Sequence, residues 1–186
     1  LQPAIEFADP VVKQVCVINF DTNGNGELSF KEAAAVTEIS SQIFKSVSNE
    51  IKTFNELEYF TGITRINKST FYDCPNLLCV KLPENIITIE DYAFKGCTSL
   101  SSINIPNKTM IVGWEAFNDC DNIVDITIPN SVTEIKYRAF YDCDNLSHIT
   151  IGGNVSVMGT SAFGSCGNLE SVTINNGVTT IGNNAF

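Results

Sequence analysis

Phe71, Phe94, Phe117, Phe140, Phe163 and Phe186 stand 23 residues apart with no insertion between them. Cys74, Cys97, Cys120, Cys143 and Cys166 keep the same step, as do Ala93, Ala116, Ala139, Ala162 and Ala185. A period this strict is the mark of a solenoid, in which each unit buries its apolar face only by stacking on its neighbours.

Within each unit alternate side chains of a strand point inward. The inward sets are Leu77/Val80/Leu82, Leu100/Ile103/Ile105, Ile123/Ile126/Ile128, Leu146/Ile149/Ile151 and Leu169/Val172/Ile174. Pro83, Pro106 and Pro129 close this strand, and Gly152 and Asn175 do so later. A second short extended piece ends at Ile89, Val112, Ile135, Met158 and Ile181, and the Ala-Phe turn follows. Asn76, Asn122, Asn145 and Asn168, with Ser99 in the same column, are expected to satisfy backbone groups where the chain turns inward. A period of about 20 to 29 residues, filled with Leu and Ile at constant offsets, marks a leucine-rich-repeat solenoid. Its coils are mainly parallel β with short helical turns.

Residues 1–50 do not repeat. Asp9-Pro10 reads as an N-cap followed by proline at the first helical position, with an apolar stripe of Val11, Val12, Val15, Cys16 and Ile18 to about Asn19. A helix-favouring run follows from Lys31 to Phe44. Between them Asp21, Asn23, Asn25, Gly26, Glu27, Leu28, Ser29 and Glu32 match the places of an EF-hand loop. Calcium takes six to eight hard oxygens, so side chains at alternate positions wrap the ion, Gly26 permits the turn and Glu32 closes the shell. Glu27 supplies its backbone carbonyl and Ser29 acts through water. The competing reading is a capping box of Ser29 with Glu32 in a loop that binds nothing. Only Asp21 and Glu32 bring carboxylates, so one weak site is expected, with Kd of about 10⁻⁴ to 10⁻³ M. A dockerin would need a second such loop, which the sequence lacks. The expected division is a small α-helical EF-hand-like cap over 1–50 and a solenoid over 51–186. Ile51 to Phe54 starts the sheet, and Glu56 to Phe60 makes one or two helical turns.

The segments Cys120-Asp-Asn-Ile-Val-Asp-Ile-Thr-Ile-Pro-Asn-Ser-Val-Thr-Glu-Ile135 and Tyr137-Arg-Ala-Phe-Tyr-Asp-Cys143 resemble BspA-like leucine-rich-repeat proteins of gut and oral anaerobic bacteria. The resemblance covers residues 54–186, and the Asp-x-Asn-x-Asn-Gly-x-Leu-Ser segment is similar to a leader module on some of those proteins. It implies a secreted or cell-surface bacterial protein, in some members an adhesin for host proteins. Thr109-Met110 disturbs one coil, and the chain stops in mid-coil at Phe186, so the solenoid is expected to continue.

Acidic residues outnumber basic ones 21 to 11. The basic patch that nucleic acid requires is missing. No apolar run reaches the ~20 residues of a membrane-spanning helix, and Leu1-Gln2-Pro3 lacks the features of a signal peptide, so such a segment is expected to have been removed. Five of the seven cysteines share one column. Strands about 4.8 Å apart lie within disulfide range, but in-register side chains point the same way into the core, so reduced, structural cysteines are expected.

The outward positions of the main strand form the candidate binding face, Lys81, Ser102, Asn104, Asp125, Thr127, His148, Thr150, Ser171 and Thr173, with Cys79 at its edge. A host or matrix protein or a glycan is the candidate partner, and oligomeric state is not legible. The face lacks the Trp, Tyr and Arg that anchor tight interfaces. Trp114 and Tyr137 share another column, where packing on the solenoid's outer edge is expected over an exposed pair. Asp119, Asp142, Asp121 and Asp144 gather on adjacent coils as a solvated acidic corner or a second cation site. His148 is the sole histidine and sits on a regular strand without an elbow or oxyanion motif, so no enzyme is expected. Two classes remain: a non-enzymatic surface binding protein, and a structural spacer that projects another domain.

Overall fold

The structure is a computed structural model and describes residues 3–186; Leu1 and Gln2, part of the signal-peptide reading, lie outside the described residues. Asp9 starts the first element. Its carboxylate accepts the N–H groups of Val11 and Val12, Pro10 fixes the first φ, and helix α1 runs Pro10–Phe20. Val12, Val15 and Cys16 are buried, whereas Ile18, expected in the same stripe, is 74% exposed. Two residues beyond Cys16 is the far side of a 3.6-residue helix. The other Asp9 oxygen accepts the N–H of Lys52 at 2.6 Å and ties α1 to the start of the sheet.

Helix α2 covers Phe30–Ala35 and stops well short of the expected Phe44. Three alanines favour helix, but Val36 turns extended (φ −66°, ψ 124°) because another segment lies across its path. A Cβ at Gly62 would sit 2.3 Å from the Val36 carbonyl oxygen, so that turn is packed directly against the chain. The freed segment instead carries Phe44 into the core, where its ring stacks on Phe71 at 5.2 Å.

Among the described residues, twelve short strands then alternate between two faces. One set comprises β1 (Thr53–Phe54), β3 (Cys79–Val80), β5 (Ser102–Ile103), β7 (Asp125–Ile128), β9 (His148–Ile151) and β11 (Ser171–Ile174). The other comprises β2 (Arg65–Ile66), β4 (Thr88–Ile89), β6 (Ile111–Val112), β8 (Glu134–Ile135), β10 (Val157–Met158) and β12 (Thr180–Ile181). Every pairing between these strands is parallel. Partners stand 23 residues apart, as in Val80↔Ile103 and Ile126↔Ile149, except that Phe54 pairs with Val80. The three extra residues there are taken up in the 3-10 turn Asn55–Tyr59, where short helical turns were expected.

The second set forms one continuous six-stranded sheet, but the first is split into β1-β3-β5 and β7-β9-β11. Leu78, Ser101, Ser147 and Glu170 each donate an N–H to the preceding coil. Among the described residues no such bond joins Val124 to Ser101. Asn104 turns its side chain back on Leu82 instead, accepting that N–H at 3.0 Å.

The apolar columns fill the interior. Phe71, Phe94, Phe117, Phe140 and Phe163 are fully buried and stack in sequence at 5.0–5.2 Å, and Phe186 extends the row at 5.7 Å. Ile174, Ile181 and Phe186, at the end of the described stack, are exposed. Each corner from Ser69 to Ser165 holds two left-handed residues, one column at Ser69, Tyr92, Glu115, Arg138 and Ser161, which Asn184 extends, and another at Asp73, Gly96, Asp119, Asp142 and Ser165. Tyr, Glu and Arg are unfavourable there. Backbone bonds to the next coil over-determine the turn, with Tyr92 N–H on Trp114 O and Phe94 N–H on Ala116 O, both at 2.8 Å.

Candidate binding surfaces and the loop at 21–32

Strands β7, β9 and β11 bring six of the predicted face residues together. Asp125, His148 and Ser171 lie in register, as do Thr127, Thr150 and Thr173, and all six are exposed. Period-2 alternation produces this: Ile126, Ile128, Ile149 and Ile151, between and beside them, point into the core. His148 Nδ1 lies 3.0 Å from Asp125 Oδ1 and 2.7 Å from Ser147 Oγ, a pair too exposed to add much stability. Lys81, Ser102 and Asn104 stand on the other side of the sheet break. Lys81 Nζ pairs with Glu58 at 2.6 Å, and Asn104 is half-buried and committed to Leu82. Cys79 is half-buried in register with Ser102.

The loop at 21–32 is closed by its own side chains. Asp21 accepts the N–H groups of Asn23, Gly24 and Gly26, Asn23 Oδ1 accepts that of Asn25, and Asn25 Oδ1 accepts that of Glu27. Gly24 and Gly26 take φ of +70° and +81°, where a side chain would be strained. Glu32 reaches across: Oε1 accepts from Thr22 and Asn23, and Oε2 accepts from the N–H and hydroxyl of Ser29. The Ser29–Glu32 capping box is therefore formed. These donors, Ser29 first, hold the Glu32 carboxyl down at about 2. Glu27 pairs outward with Lys13 at 2.7 Å, and Ile5 N–H bonds Leu28 O at 2.8 Å beside an isolated antiparallel bridge between Ala4 and Ser29, fastening the loop to the segment before α1.

The acidic columns line an open groove with Asp73, Pro75 and Thr98. Partial burial first, and neighbouring carboxylates second, push the Asp119 and Asp121 carboxyls up. Trp114 and Tyr137 are 51% and 37% exposed, with rings 6.4 Å apart and edge to face. They are not packed away on the outer edge as the sequence suggests. In the asparagine column Asn76 and Asn168 donate to the backbone carbonyls of Asn49 and Asp144, as expected, whereas Asn145 donates to the side-chain oxygen of Asn122 at 3.4 Å. All seven cysteines are free. The thiols of Cys97, Cys120, Cys143 and Cys166 each donate to the carbonyl of a phenylalanine one coil back, at 3.1–3.2 Å. The Cys-Phe spacing was visible in the sequence, but its use as a donor column was not.

Together these features define a β-solenoid of about six parallel coils of about 23 residues with leucine-rich side-chain columns. The BspA type leucine rich repeat region matches residues 64–186 in six copies. The chain belongs to that family. Among solved structures, a leucine-rich-repeat protein of T. pallidum is similar at 27% identity and TM-score 0.57, over 70% of this chain and 65% of that one. A leucine-rich-repeat protein from Bacteroides ovatus is similar at 23% identity and TM-score 0.68, over 92% of this chain and 38% of that one. A leucine-rich cell surface protein from Faecalibacterium prausnitzii is similar at 24% identity and TM-score 0.55, over 76% of this chain and 43% of that one. The chain thus spans less than two thirds of each relative's length. No curated protein sequence matches it. No helix among the described residues is long and apolar enough to cross a membrane.

Proposed function

We propose that this chain is part of a bacterial secreted or cell-surface protein, non-enzymatic, that binds a host or matrix protein or a glycan through the outer face of β7, β9 and β11. The observation that carries the reading is the in-register array of Asp125, His148 and Ser171 beside Thr127, Thr150 and Thr173, six exposed polar side chains on a regular sheet. Solenoids present such faces to extended ligands. The F. prausnitzii relative's description as a cell surface protein supports the location. Replacing Asp125 and His148 together by alanine and measuring binding to immobilised matrix proteins and glycans tests it; undiminished binding overturns this face. The competing reading, a spacer with no ligand of its own, draws on the internal pairing of Asp125 with His148 and of Lys81 with Glu58.

The proposal includes an EF-hand-like cap over residues 1–50 with one weakly held calcium. Asp21, Asn23, Asn25, the Glu27 carbonyl and Glu32 would hold it, with Ser29 through water. The donor types fit, since the loop carries charged and uncharged hard oxygens around the Gly26 turn, although Glu32 would have to exchange its bonds to Thr22, Asn23 and Ser29 for the ion. Calcium titration by calorimetry should give one site in the high-micromolar to millimolar range, and a calcium that neither binds nor raises Tm overturns it.

A further inference from the structure

The residues that anchor tight interfaces, missing from the sheet face, gather at one corner of the solenoid. Arg138 lies over two rings, with its guanidinium carbon 5.0 Å from the Tyr137 centroid and 4.5 Å from that of Tyr141. Tyr137 in turn meets Trp114 edge to face. Trp, Tyr and Arg are the side chains that most often carry binding energy.

Arg138 is also without a counter-charge. On a chain of net charge −10, no carboxylate among the described residues lies within ion-pair distance of it, and its buried Nε has no hydrogen-bond partner. Glu115, one coil back in the same column, is turned to Lys95. A guanidinium placed over two rings and without a carboxylate partner keeps its terminal N–H donors for an oxyanion.

The column through Trp114 selects the ligand class. Asp91, Trp114, Tyr137, Thr160 and Asn183 follow at 23-residue steps, so the aromatic pair is flanked by small side chains that donate or accept hydrogen bonds. Trp114 N–H is fixed by Asp91 Oδ1 at 2.9 Å, and Arg138 N–H by Thr160 O at 3.1 Å. A half-exposed indole among hydroxyl, amide and carboxylate groups suits the apolar face and hydroxyl rim of a sugar ring. From this geometry we infer that the Trp114–Tyr137–Arg138–Tyr141 corner binds a carboxylate-bearing oligosaccharide. The sugar ring lies on Trp114 and its carboxylate on Arg138. This surface is separate from the β7–β9–β11 face, and neither reading depends on the other.

Trp114 is the sole tryptophan, so its fluorescence reports this site directly. Sialyllactose and tetragalacturonate, titrated against the chain, should change the emission saturably, and neutral lactose should bind about tenfold more weakly or worse. Arg138→Asn, chosen because asparagine tolerates the left-handed backbone at this position, should remove the preference for the acidic sugar. Trp114→Ala, followed by calorimetry, should abolish binding of both, while the Asp125→Ala/His148→Ala double variant leaves it unchanged. Circular dichroism and Tm confirm that each variant is folded; should Arg138→Asn unfold, Arg138→Lys, which keeps the charge but not the fork, replaces it and should weaken the acidic sugar about tenfold. The inference is overturned if millimolar acidic sugar leaves the emission unchanged, if the arginine variants bind as the parent does, or if a glutamate-rich peptide binds while the sugars do not.

Discussion

Cys120 Sγ lies 3.2 Å from the carbonyl oxygen of Phe94 on the preceding coil, and that oxygen also accepts the N–H of Cys97 at 3.1 Å. Two coils therefore share one acceptor, and the thiol uses its second lone pair. Burial pushes the Cys120 thiol far up, so it remains a donor at every pH of interest. Cys120→Ala should lower stability by about 1–2 kcal/mol, the cost of a small cavity and a lost weak donor. Cys120→Ser, which restores a donor, should recover part of that loss. Urea denaturation of the three proteins checks the order.

The stacked rings allow a comparison within one chain. Phe117 is fully buried between Phe94 and Phe140, whereas Phe186 is 46% exposed and has one ring neighbour. Phe117→Leu should cost about 2 kcal/mol and Phe186→Leu less than about 0.5 kcal/mol. Equal costs, read from the shift in denaturation midpoint, would mean that the row does not stabilise through its interior.

Glu32 sets a pH dependence of definite sign. Its folded carboxyl titrates near 2 against an ordinary 4.5, so the carboxylate's contribution is complete above the ordinary value and lost as pH falls from about 4.5 toward 2. Tm measured from pH 7 to 3 should fall more steeply for the parent than for Glu32→Gln. The same substitution should remove the rise in Tm on adding millimolar calcium.

Asp119 gives the opposite sign. Its carboxyl is pushed up by partial burial and by Asp142, so the folded state binds a proton more readily and gains relative stability as pH falls. Asparagine fits its φ of +57° and removes the charge. Asp119→Asn should therefore stabilise the chain by about 0.5 kcal/mol at pH 7, less at high salt, and by nothing near pH 4. A destabilised variant at pH 7 would show that the carboxylate is held by a cation instead.

The coil was legible because burial repeats: each inward Leu, Ile or Val recurs at one offset, and the strands pair at the interval those residues share. The columns of left-handed residues were not, since Tyr92, Glu115 and Arg138 are chosen against their own backbone preference by hydrogen bonds to the next coil. The end of α2 was hidden for a related reason. Ala33, Ala34 and Ala35 favour helix locally, and the segment that stops it, at Gly62, lies far along the chain. Phe44 could not be placed in the ring stack because it stands outside the period. The face at β7–β9–β11 was readable by alternation, but the separation of Lys81, Ser102 and Asn104 from it arises from one missing backbone link.

That missing link has a mechanical meaning. Pulled along its axis, a stack of coils yields where the fewest bonds join neighbours. Between β5 and β7 the strand pairing of one face is missing, and the second sheet, the corner backbone, the Phe94–Phe117 stack and the Cys120 Sγ–Phe94 O bond bridge the seam. Tension would open one face there while the other holds, so the rod would bend about this joint before any coil unravels.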